Sequence, residues 1–171
     1  MMNVFTSVAS PEAGPEPTDI IALPATTPKP VLKLLSDWTA LIGASLPCRC
    51  QMRDVAPPPG PMRLLAGAGL VGSGRKPADL VWLESMEAGG WPFQPPVAGQ
   101  PLRRSFPERS AARTVELLRS VIATRMPHYV EVTEWSGSNR PDAHGRLALP
   151  VMGAAGKVEL LILWERMDVT A

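Results

Sequence analysis

The sequence predicts an α+β domain built on an antiparallel sheet, and three observations carry that expectation. Two segments, 31–42 and 111–122, repeat apolar residues at helical spacing, one near the start and one past the middle. Five short segments read as strands, two before the second helix and three after it. Strand–helix–strand alternation is absent, so a parallel doubly wound sheet is excluded. At 171 residues with 45% apolar content, the chain has material for one core.

The first 29 residues form the exception. Residues 1–30 hold six of the 20 prolines, with Glu12, Glu16 and Asp19 against Lys29, and no period of 2 or 3.6 is sustained there. Such a segment buries too little apolar surface to offset its ordering entropy, so 1–29 is expected as a flexible Pro-rich tail with a short docked piece at 20–23. The folded domain is expected over 30–168. It opens with a helix whose Val31, Leu34, Leu35, Trp38, Leu41 and Ile42 share one face, with Pro30 in the first turn and Gly43 as its stop. Residues 45–61, with Pro47, Pro57, Pro58, Pro59 and Pro61, read as an extended connector.

Short strands are expected at 69–72 and 79–85, joined by the turn-rich Ser73-Gly74-Arg75-Lys76-Pro77. Residues 86–105 read as a loop or a set of single helical turns. The second helix opens with Ser105-Phe106-Pro107-Glu108, a capping-box pattern, carries Ala111, Val115, Leu118, Val121 and Ile122 on one stripe, and is stopped by Pro127. Strands follow at 128–135, 146–152 and 158–165, separated by a polar loop at 136–145 and by Gly153-Ala154-Ala155-Gly156. Pro150 lies within a strand, which points to an edge position or a bulge.

Composition excludes more than it selects. With 17 basic and 16 acidic residues the net charge is +1, which removes the main argument for a general nucleic-acid or anionic-membrane binder. Apolar stretches at 64–71 and 158–164 fall far short of a membrane span. Gly67-Ala68-Gly69-Leu70-Val71-Gly72 spells a dinucleotide fingerprint, but Gly74 and Pro77 forbid the helix that motif needs. Gly69–Lys76 fails as a phosphate loop, because Arg75 replaces the lysine and no Ser or Thr follows. Cys48 and Cys50 lack the second ligand pair of a zinc site and read as free thiols in a reduced, cytoplasmic protein, so no metal is expected. His128, at a strand start, and His144, in the polar loop, read as surface or capping residues. Arg103, Arg104, Arg109, Arg113, Arg119 and Arg125 read as the solvated face of the second helix.

Several short patterns together resemble a bacterial family of short, single-domain PAS proteins. They are Leu34, Trp38 and Leu41 in the opening helix, then Leu46-Pro47 and Arg49. Further on come Gly99-Gln100-Pro101-Leu102, Pro127, and Arg146-Leu147-Ala148-Leu149-Pro150-Val151. Their order and spacing over 31–166 carry the likeness. It implies a five-stranded antiparallel sheet with one long connecting helix, and a non-catalytic sensory or protein-interaction module in signalling.

Binding is then expected between the concave sheet face and the irregular segment. The expected pocket is Trp91, Phe93, Val130, Val132, Leu149 and Ile162. The inward set is Val130, Val132, Leu147, Leu149, Val151, Leu160, Ile162 and Trp164. Leu161 and Leu163 fall on the other face of the last strand, and with Trp38 they are expected to form an exposed docking patch for a homodimer or a signalling partner. No cofactor, nucleic acid or membrane is expected, and an unidentified small-molecule ligand is compatible with the fold. The contrary readings are a small enzyme using His128 or His144 and a nucleic-acid binder using the Arg-bearing helix 105–125.

Overall fold

A computed structural model describes residues 21–55, 69–74, 79–85, 93–136 and 140–167. In chain order the elements are α1 (Lys29–Leu41), α2 (Arg49–Val55), β1 (Gly69–Ser73), β2 (Leu80–Trp82), a 3₁₀ turn (Leu102–Ser105) and α3 (Glu108–Thr124). Then follow β3 (His128–Ser136), β4 (Arg140–Met152), a second 3₁₀ turn (Ala154–Gly156) and β5 (Val158–Arg166). The five strands make one antiparallel sheet in the order β2-β1-β5-β4-β3. The fold class is α+β.

Each face of the sheet is covered by its own helix. Beneath α1, the side chains of Val31, Leu34, Leu35 and Trp38 pack with Met52 of α2 against Leu70, Leu147, Leu149, Val151, Leu161 and Leu163. Ile21 and Leu23, ahead of α1, join that cluster. On the opposite face, Ala111, Leu118 and Val121 of α3 pack with Leu102 and Phe106 against Val71, Leu80, Trp82, Ala148, Leu160, Ile162 and Trp164. Strand β5 shows this on its own: residues 159–164 are all buried, as in a strand covered on both sides.

Burial on both faces overturns the expected docking patch. Leu161 and Leu163 have 0% exposure and Trp38 1%, all three inside the α1-side core. The expected inward set also mixed two faces. In an antiparallel ladder directly opposed residues point the same way. Leu149 opposes Leu161 and Leu147 opposes Leu163, so the odd-numbered residues of β4 belong with α1. Leu160, Ile162 and Trp164 instead belong with α3.

Pro150 occupies the edge position its chemistry requires. Strand β3 starts at His128, opposite Ala148, so from Leu149 to Val151 β4 has β5 as its one strand neighbour. The Pro150 carbonyl accepts a 2.8 Å hydrogen bond from Trp38 Nε1, which ties α1 to the sheet. Met152 then bridges to Cys48, its N–H donating to the Pro47 carbonyl at 2.8 Å.

Three local expectations change. The connector contains α2, and Arg49 at its start pairs with Glu84 and lies 3.9 Å from Glu159. Cys48 and Cys50 form a disulfide, their Cα atoms 5.3 Å apart, rather than free thiols. This removes the free-thiol premise of the reducing compartment expected from the sequence. Ser105 does not cap α3, whose N-cap is Pro107. Its hydroxyl is buried and accepts from Trp82 Nε1 at 3.0 Å. The helix ends as expected before Pro127, with Arg125 in the left-handed region at φ 57° and its N–H bonded to the Val121 carbonyl. Among the described residues, no helix is long and apolar enough to cross a membrane.

Candidate functional site

The α3 side of the sheet holds two buried polar side chains of β4. Side chains alternate along a strand, so His128, Val130 and Val132 of β3 face α3 together with His144, Arg146 and Ala148 of β4. His144 and Arg146 are both buried, at 4% and 6% exposure. The expected polar loop is therefore mostly strand: β4 begins at Arg140, and His144 lies in its interior opposite Val132. It is neither a surface nor a capping residue, and its ring centroid is 5.4 Å from that of Trp164.

Arg146 is the centre of the arrangement. Its guanidinium carbon lies 5.6 Å from the ring centroids of both Phe106 and Trp164, within cation–π range. Its Nη1 donates to Thr114 Oγ1 of α3 at 3.2 Å, and Thr114 is itself buried. Phe93 completes an aromatic trio, with its ring centroid 6.3 Å from Phe106 and 5.7 Å, edge-on, from Trp164. The electropositive field of Arg146 also reaches His128. Burial first, and then Arg146, hold that imidazole below its ordinary pKa, so His128 favours the neutral form.

Between α3 and β3 lies a cavity of about 360 Å³. It is lined by Phe106, Ser110, Arg113, Thr114 and Leu117 from the helix side, and by Val130, Glu131, Val132, Thr133 and Arg146 from the sheet. Ser110, Arg113, Thr114 and Leu117 stand at i, i+3, i+4 and i+7, one face of α3. Glu131 turns its carboxylate away, toward the α1 side of the sheet. There it accepts from Thr26 Oγ1 at 2.7 Å and from the Tyr129 hydroxyl at 3.3 Å. Burial foremost, with the Glu131 charge adding to it against a hydrogen bond from Thr27, pushes the Tyr129 phenol up to about 12.

A second cavity, about 860 Å³, runs along the other flank of α3. Leu80, Pro101, Ala111 and Val115 line it, with Arg103, Arg104 and Arg119 facing Asp79, Glu108 and Glu116. Its charges are mixed, so it selects no ligand chemistry.

Of the expected pocket residues, Val130 and Val132 line the smaller cavity. Phe93 and Ile162 lie in the core that backs it. Leu149 is buried on the opposite face, beneath α1, because the odd residues of β4 point there. Trp91 lies outside the described residues. Sequence reasoning missed Arg146, Thr114 and Phe106 as a unit. The available signal was an arginine in an otherwise apolar strand run, Arg146-Leu147-Ala148-Leu149. The six other arginines expected on the solvated helix face, from Arg103 to Arg125, are all exposed.

Chemically, the site offers a cation, hydroxyls and aromatic faces, a set suited to holding a ligand. His128 and His144 sit four register pairs apart on neighbouring strands, roughly 13 Å at ~3.3 Å per residue, too far to act on one atom together. Among the described residues, no group of three or more His, Cys, Asp or Glu is placed to hold a metal ion. Comparison with protein families, with curated proteins and with solved structures finds no match to this chain.

Proposed function

We propose that this chain is a PAS-like sensory or protein-interaction module without catalytic activity, acting in bacterial signalling through a small molecule held between α3 and the sheet. One observation carries the reading. A long helix crosses one face of an antiparallel sheet ordered β2-β1-β5-β4-β3, and the space between them is a cavity lined by Val130, Val132, Phe106 and Arg146. Occupancy would shift the balance between two settings of α3 on the sheet, which a partner protein reads. With both sheet faces buried, that partner meets the helices or the sheet edges.

Native mass spectrometry of the full chain, purified from a bacterial cytosol, tests this. A retained small molecule, lost when Val132→Trp fills the cavity, is expected. Turnover of any substrate that disappears on His128→Ala or His144→Ala would overturn the non-catalytic reading. Oligonucleotide binding at low salt that disappears on neutralising the α3 arginines would overturn it equally.

A further inference from the structure

We propose that the Cys48–Cys50 disulfide is a reversible redox site that exchanges with an external dithiol at the Cys50 sulfur, and that its state sets how firmly α2 is held to the sheet. Such a site operates whether or not the cavity beside α3 holds a ligand.

The two cysteines stand two positions apart, so their bridge closes a very small ring and removes little freedom from the unfolded chain. It is a poor staple. Cys50 is exposed and Cys48 half-buried, and exposed disulfides are the ones that thiols reach and reduce.

The two sulfurs differ in their surroundings. Cys48 Sγ accepts the Gln51 backbone N–H at 3.2 Å, while Gln51 Oε1 accepts the Cys48 N–H at 2.7 Å, a reciprocal pair. A thiolate departing on Cys48 keeps that hydrogen bond, which favours its charged form. Exchange runs faster when the departing sulfur is the more stable thiolate, and the exposed Cys50 is the residue an incoming thiol meets. The donor thiolate therefore attacks Cys50 Sγ to form a mixed disulfide, and the S–S electron pair leaves on Cys48. The donor's second thiolate then attacks its own bridged sulfur and releases Cys50. The donor ends as a disulfide, the protein gains two electrons, and Cys48 and Cys50 take up the two protons that the donor thiols gave up.

Hydrogen bonds on either side couple the bridge to the core. Before it, the Pro47 carbonyl accepts the Met152 N–H at 2.8 Å, and Cys48 pairs with Met152 at the end of β4. After it, the Cys48 carbonyl accepts the Met52 N–H at 3.2 Å, and the buried Met52 side chain packs beneath α1. Arg49, between the cysteines, pairs with Glu84. The oxidised ring fixes the turn from β4's neighbour segment into α2, whereas the dithiol leaves that turn to hydrogen bonds alone. Reduction thus loosens the start of α2 while the sheet stays intact.

The test uses the full chain. Millimolar dithiothreitol, without denaturant, should reduce the bridge completely, read as a gain of two hydrogens in intact mass. Brief exposure to the monothiol glutathione, quenched with excess N-ethylmaleimide, traps the mixed disulfide, and cleavage after Arg49 separates the two cysteines. Glutathione is expected on Cys50 and the maleimide on Cys48, in about tenfold excess over the reverse. Amide hydrogen exchange at Gln51 and Met52 should speed about tenfold on reduction, with the β4–β5 ladder unchanged. The double variant Cys48→Ser, Cys50→Ser should exchange like the reduced chain and ignore dithiothreitol.

A bridge that yields only in denaturant, or thiols that oxidised glutathione fails to join, would overturn the redox site. Glutathione found mainly on Cys48 would overturn the assignment of the attacked sulfur. Equal exchange in the oxidised and reduced chains would overturn the coupling to α2. Each of these outcomes leaves the binding-module reading standing.

Discussion

Replacing Trp38 by Phe isolates the bond that fixes α1 to the sheet. Trp38 is 1% exposed, and its Nε1 donates at 2.8 Å to the carbonyl of Pro150, which has β5 alone beside it. Phenylalanine keeps the six-membered ring in the core but leaves that buried acceptor without its donor. An orphaned buried polar group costs about 1–3 kcal/mol. The lost indole atoms add about 1 kcal/mol of forfeited burial, near the value of one methylene. The sum is about 2–4 kcal/mol. For a chain of this length each kcal/mol moves the midpoint by ~2–4 °C, so Tm should fall by about 4–16 °C. Thermal and urea unfolding followed by far-ultraviolet circular dichroism, at two protein concentrations tenfold apart, measure it. Because the bond lies within one chain, the loss should be the same at both concentrations. A loss under about 0.5 kcal/mol, or one that grows on dilution, would refute the placement of Trp38 and return it to a contact between chains.

Three further outcomes follow from the same structure. Leu161→Ala should cost ~2–5 kcal/mol in urea unfolding, as for other buried leucines, and Leu161→Asp should leave an unfolded chain; a folded L161D monomer would contradict the two-faced sheet. Tyr129 is the chain's one tyrosine, so the near-ultraviolet phenolate absorbance reads it directly. Its midpoint should lie near 12 in the folded protein and near ~10 in urea. Since the raised pKa favours the neutral phenol in the folded state, stability should be full below about pH 10 and decline as pH rises toward 12. Tyr129→Phe should remove that decline. Alkylation without reductant should leave Cys48 and Cys50 unlabelled, and reduction should add two hydrogens and two labels. Labelling of the unreduced protein would contradict the disulfide.

The legible part of the fold was the part with strong local period. Helix α1 was visible in Val31, Leu34, Leu35 and Trp38, and α3 in Ala111, Leu118 and Val121, because one apolar stripe per helix is what a single covering layer demands. The start of β4 was hidden, since Arg140-Pro141-Asp142 offers no apolar alternation and its pairing with β3 comes from the long hairpin instead. Helix α2 was hidden by the prolines on both sides of it. The alternation within β4 and within β5 was legible, but the face of β4 that goes with Leu160, Ile162 and Trp164 was misassigned, for a different reason. Nearly every residue of 159–164 is apolar, so period alone cannot say which side is which, and register decides. At the site, Val130 and Val132 could be placed from β3 alone, whereas Arg146, Thr114 and Phe106 meet only through packing between elements far apart in sequence.

Strand β4 places Arg146 on the α3 side and Leu147 and Leu149 on the α1 side. Sliding it by one residue against β5 would thrust a guanidinium among the leucines and tryptophan beneath α1. The same slip would strip Phe106 and Trp164 of their cation. A sheet with interchangeable aliphatic residues on both faces has little to prevent such slippage, and β5, with Leu160 to Leu163 in unbroken succession, is such a strand. The arginine at the cavity wall is thus also an index mark of the ladder, a buried side chain that can satisfy only one alignment.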